Sequence, residues 1–132
     1  MATRFVGDPL GASFPASNYP ALTLVNRRPV LAFDAGTDET AYWTFVAPQG
    51  WTGTVTAVVS YMMASATSGA IYWQAALEAV TAGDAVDLDA ATSFDTVNSG
   101  NGTVPGTAGY MQQISITMTN ADSIAAGDLV RL

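Results

Sequence analysis

The chain of 132 residues has no cysteine, no histidine and no lysine. Without cysteine there is no disulfide framework, no thiolate metal site and no thiol nucleophile. Without histidine the usual general base and the commonest transition-metal ligand are missing. Without lysine so are the Schiff-base amine and the phosphate-binding residue of a P-loop. Carboxylates and hydroxyls are all that remain for catalysis. The length suits one domain with one core.

Positive charge is scarce and unevenly placed. The net charge is −7, and the only cations are Arg4, Arg27, Arg28 and Arg131, while ten of the eleven acids lie between Asp34 and Asp128. An acidic body repels nucleic-acid phosphates and anionic head groups, so neither nucleic acid nor a membrane surface is an expected partner. No residue between Glu39 and Glu78 is charged, and TVTAVVSYMMASATSGAIYWQAAL (54–77) is long enough to span a bilayer. Its centre, ASATSG, reads as a turn, it lacks flanking Lys or Arg, and MATRFVGDPLG at the N-terminus has no signal-peptide apolar region, so no membrane insertion is expected.

Residues 1–29 contain Pro9, Pro15, Pro20 and Pro29 with Gly7 and Gly11, which predicts an extended N-terminal arm with little regular structure. From Val30 onward, short apolar segments alternate with turn clusters such as AGTD, APQGWTG, ASATSG, TAGD, NSGNGTVPGTAG and SIAAGD. That spacing predicts an all-β sandwich or barrel over 30–132. In GTVTAVVSYMM (53–63), Val55, Ala57, Val59, Tyr61 and Met63 share one face; in YMQQISITMTN (110–120), Ile114, Ile116 and Met118 do. In AYWTFVA (41–47), Trp43 and Phe45 define the inner face, Tyr42 and Thr44 the outer, and Pro48 stops the strand. GAIYWQAALEAVTAG (69–83) fits a helix capped by Ser68 and Gly83 as well as a strand with Ile71, Trp73, Ala75 and Leu77 inward.

Four constellations bear on chemistry. FDAGTDE (33–39) is similar to the D-[ST]-G loop of aspartic proteases, but Ala35 replaces the hydroxyl residue and only one copy is present. Its plainer reading is a sandwich corner whose acids Asp34, Asp38 and Glu39 cap loop amides. Glu39 and Glu78, the only glutamates, have no spacing that makes them a glycosidase pair, and Glu78 reads as an exposed strand residue. Asp84, Asp87 and Asp89 lack the glycine and distal glutamate of a calcium loop and read as a solvated turn. Trp43, Trp51 and Trp73 with Tyr42, Tyr61, Tyr72 and Tyr110 suit either a sugar-stacking platform or cross-strand pairs, with outward Tyr42 and Tyr72 as interface anchors.

The F-D-x-x-T-D-E-x-A-Y-x-T-F run at 33–45, the A-T-S-G turn at 66–69 and the T-N-A-D-S-I-A-A-G-D-L segment at 119–129 resemble small virion proteins of tailed phages, the head decoration or cement type. The resemblance covers Leu31 to Leu132. It implies a jelly-roll β-sandwich, a strand at 69–83, no enzymatic activity and no cofactor. It also implies a virion location on the capsid exterior after assembly in the host cytoplasm, with the major capsid protein as partner. Related sequences continue past the position of Leu132 into a further strand pair, so either a shorter sandwich suffices here or a neighbouring subunit covers the gap. A homotrimer is expected, a dimer being the second choice, because Tyr42, Val58, Met62 and Tyr72 fall on faces opposite the core. The arm would dock through Arg4, Arg27 and Arg28, with Phe5, Leu10, Phe14 and Tyr19 as apolar anchors. The alternative is a carbohydrate- or host-binding module of a tail or head fibre.

Overall fold

A computed structural model describes residues 5–90 and 93–132. Nine strands follow a short 3-10 turn at Pro9–Gly11: β1 Ala21–Val25, β2 Arg28–Ala32, β3 Thr44–Val46, β4 Val55–Tyr61, β5 Ala70–Ala75, β6 Glu78–Val80, β7 Asn98–Thr103, β8 Gln112–Met118 and β9 Leu129–Arg131. Every pairing is antiparallel: β1 with β2, β4 with β8, β5 with β7, and β9 between β3 and β6. The protein is all-β. No helix among the described residues is long and apolar enough to cross a membrane.

The alternation read from the sequence is realised in β4 and β8. Val59 lies opposite Ile114, Ala57 opposite Ile116 and Val55 opposite Met118, all facing inward, while Thr56, Val58, Ser115 and Thr117 face out. The buried core joins Ile114, Ile116, Met118 and Tyr61 to Leu77, Ala47 and Val130. The ambiguous 69–83 segment is two strands, β5 and β6, with Leu77 fully buried between them. Alanine's helix preference is overridden there because β5 finds a partner strand in β7 and β6 finds one in β9.

β7 corrects the sequence reading. NSGNGT falls in a stretch rich in turn-forming residues, yet it is a six-residue strand whose inward positions are Asn98, Gly100 and Gly102. The glycines let β7 approach β8 far closer than side chains permit. A Cβ on Gly100 would lie 2.6 Å from Ile114 Cδ1, and one on Gly102 would lie 2.8 Å from the Tyr61 ring carbon Cζ and overlap its hydroxyl. The β4–β8 and β5–β7 pairs thus pack face to face, in the manner of a β-sandwich. Buried Asn98 locks the end of β7. Its Oδ1 accepts from Thr119 N (3.0 Å), Thr119 Oγ1 (3.0 Å) and Asn120 N (3.1 Å), and its Nδ2 donates to Asn120 O at 3.0 Å.

One further expectation changes. The N-terminal segment is not an arm throughout: residues 21–32 form the β1–β2 hairpin, and the chain before it is tied to the domain. Phe5 stacks on Phe45 with ring centres 4.1 Å apart, Trp43 Nε1 donates to Asp8 O at 2.9 Å, and Ser13 and Tyr42 exchange backbone hydrogen bonds. Prolines do not prevent this, because Pro29 occupies a strand with no neighbour beyond its hairpin partner. At the other end, β9 is flanked on both sides by β3 and β6.

Gly102→Ala is expected to destabilise the protein by about 1–3 kcal/mol in urea denaturation, because a rigid phenol ring and its 2.9 Å bond to Thr103 O must move. Gly100→Ala should cost less, since its obstacle is the movable end of an isoleucine. The reverse order would show that β7 is not held against Tyr61.

Candidate interaction surface

The acids that open the chemical question are occupied locally. Asp34 Oδ1 accepts from Gly36 N (2.9 Å), and Glu39 Oε2 accepts from Asp34 N (2.7 Å). Asp84 Oδ2 accepts from Thr81 N at 3.2 Å and Asp87 Oδ1 from Asp89 N at 3.0 Å, and all three aspartates of that loop are exposed. No group of three metal-ligating side chains occurs among the described residues. Loop capping therefore accounts for Asp34, Glu39, Asp84 and Asp87, while the Asp38 and Asp89 carboxylates are exposed and accept no hydrogen bond among the described residues.

Glu78 is not a plain surface residue. It is half-buried, opposite Arg131 across the β6–β9 ladder; its Oε2 lies 3.4 Å from Arg131 Nη2 and accepts from Ser93 N at 2.9 Å. The Arg131 guanidinium carbon also sits 4.8 Å from the Phe94 ring centre and 5.5 Å from that of Tyr42, and the two rings stack at 5.6 Å. Tyr42 was expected to be an outward anchor; instead it is half-buried beneath this cluster. A cation on two aromatic faces with a carboxylate beside it is held by its own fold and is unavailable to a partner.

The remaining expected interface residues divide. Arg4 lies outside the described residues. Phe5 is engaged with Phe45, and Phe14 and Tyr19 form a tilted pair with centres 5.7 Å apart. Tyr72 does face outward from β5, at 60% exposure. Arg27 and Arg28 sit at the tip of the β1–β2 hairpin, where Asn26 (φ 46°) and Arg27 (φ 66°) are both left-handed, the sign pattern of a type I′ turn. Neither arginine has an ion-pair partner among the described residues.

Sequence reasoning missed the hairpin's apolar content. All five residues of β1 are exposed, and Leu22, Leu24 (67%) and Val25 are among them. The signal was ALTLV-NR-RPVLA, two apolar runs around two residues, but the turn lacks the glycine that usually marks such a loop. The tryptophans also separate. Trp43 is covered at Gly7 and bonded to Asp8, Trp73 packs between Phe33 and Tyr61 with its Nε1 buried and unpartnered, and Trp51 lines an open cleft of about 430 Å³.

Arg131→Met is expected to lower stability by about 1–2 kcal/mol, through loss of the ring contacts and the partly screened ion pair. Arg28→Ser should change it by less than about 0.5 kcal/mol. Equal losses in chemical denaturation would contradict the division between a locked and a free arginine.

Comparison with known proteins finds no matching family, no matching curated protein and no matching solved structure.

Proposed function

We propose that this is a structural, non-enzymatic protein of a tailed-phage virion: a jelly-roll sandwich that binds the outer surface of the head as a homotrimer and clamps neighbouring major capsid subunits. The observation that carries this reading is the β1–β2 hairpin. A two-stranded ribbon is marginal in water, and an exposed apolar strand with a free edge calls for a covering surface. This hairpin presents Leu22, Leu24 and Val25 and is tipped by two arginines. Arg27 supports the reading further, because it holds a left-handed backbone position that glycine would take without strain. A side chain retained there at a cost to the fold points to work done by its charge.

Cementing needs no bond-making chemistry. A protein that binds only the assembled lattice lowers the free energy of the shell relative to separated subunits, and a trimer grasping several sites gains avidity. The outward Tyr72 and Val58, both more than half exposed, belong to uncharged strands suited to contacts within such an assembly.

When co-expressed with the major capsid protein of its own phage, the chain should cosediment with assembled shells and not with unassembled capsid subunits. Absence of binding to shells would overturn the proposal. The double variant Arg27→Gly, Arg28→Ser should bind shells at least about tenfold more weakly, yet melt no lower than the parent, since glycine relieves the left-handed strain. Full-strength binding by that variant would remove the hairpin from the attachment. In solution the protein should sediment as a trimer of the 13.6 kDa chain, and a stable monomer at micromolar concentration would count against preassembly.

A further inference from the structure

The cleft beside Trp51 has a chemistry that capsid attachment does not use. It opens where the β4 and β8 ends meet the 119–124 loop, and its volume of about 430 Å³ falls in the range of small-ligand sites. Val55, Met118 and half-exposed Trp51 supply apolar lining. Much of the remaining wall is the 119–124 segment. Asp122 (φ 49°) and Ser123 (φ 53°) are consecutive non-glycine residues in the left-handed region, a conformation that must be held from outside. It is held: Asp95 Oδ2 accepts from Asp122 N at 2.8 Å, Asp122 Oδ2 accepts from Ala79 N at 2.8 Å, and buried Asn98 grips Asn120 on both sides of its peptide. The wall is therefore pre-formed, with Asn120 N and O, Asp122 N and Ala121 O all hydrogen-bonded.

What the wall leaves unused decides the ligand class. Asn120, Asp122, Ser123 and Thr54 are among the residues lining the cleft, and the Asn120 side-chain amide, the Ser123 and Thr54 hydroxyls and Asp122 Oδ1 have no hydrogen-bond partner among the described residues. No cation lines it, and Asp95 and Asp122 would repel an anion. A hard cation would need six or more oxygens, but both Asp95 oxygens already accept backbone amides, from Thr96 N and Asp122 N, and only one Asp122 oxygen is free. A neutral polyhydroxylated ring fits these groups. Its C–H face packs on an indole, its hydroxyls donate to the carboxylate and accept from the amide, and serine and threonine hydroxyls serve either way. We infer that the Trp51–Ser123 cleft is a binding site for a neutral sugar, stacked on Trp51 and read by Asn120, Asp122 and Ser123.

The site is independent of the hairpin, so its test does not depend on capsid binding. The 15N-labelled protein is titrated with neutral trisaccharides of glucose, galactose, mannose and N-acetylglucosamine, with a sialylated trisaccharide as the anionic comparator. At least one neutral sugar should give saturable amide shifts confined to residues 51–55 and 118–124, with a Kd on the order of 1 mM. The sialylated sugar should not. Trp51→Ala and, separately, Asn120→Ala should each weaken binding at least about tenfold, with amide signals of β4 and β8 unchanged. Should Trp51→Ala fail to fold, Asn120→Ala alone carries the test. No shifts from any of the four neutral sugars, shifts elsewhere on the protein, equal binding of the anionic sugar, or binding that survives the Asn120 change would each overturn the assignment.

Discussion

The close seating of β7 on β8 is the constraint from which most of the molecule follows. With hydrogen atoms in place of side chains at Gly100 and Gly102, the backbone of β7 lies against Ile114 and the Tyr61 ring, so that Tyr61 reaches Thr103 O and Trp73 packs on Tyr61. Small side chains alone would not select one register in such a strand. Asn98 does so, because its amide satisfies three donors and a carbonyl at the 119–120 bend, and a slip of one residue would leave those buried groups unpaired. The same side chain therefore fixes both the register of β7 and the wall of the Trp51 cleft.

Charge is sorted by architecture. The strands β4, β5, β7 and β8 carry none, since no Asp, Glu, Lys or Arg occurs at 40–77 or 96–121. All the carboxylates but Glu78 lie outside strands, where most of them accept hydrogen bonds from nearby backbone amides. Asp128 is the extreme case: it is 2% exposed, with Oδ2 accepting from Ala125 N at 2.7 Å and Oδ1 buried without a partner. Such caps stabilise turns that have little apolar area to bury. Cation placement is the counterpart. Arg131 is enclosed by rings and Glu78, whereas Arg27 and Arg28 are carried away from the acidic body on a ribbon.

The fold class and the inner faces of the central pair were legible in the sequence. Val55, Ala57, Val59 and Tyr61, like Ile114, Ile116 and Met118, alternate with polar residues at the strand period, and that period is a local property of the chain. So were the loop-capping roles of Asp34 and Glu39 and the stop at Pro48, which act over a few residues. The composition likewise determined which chemistries were closed to the protein. What only the tertiary structure decided are the matters settled by residues far apart in the chain. NSGNGT is a strand because Ile114 and Tyr61 lie across from it; Tyr42 is covered because Phe94 and Arg131 converge on it; ALTLV is left open because no other strand pairs with β1; and Trp51 lines a cleft because Asn98 folds the 119–123 bend toward it. Propensity and periodicity report neighbours along the chain, whereas exposure, close approach and convergence depend on long-range contacts.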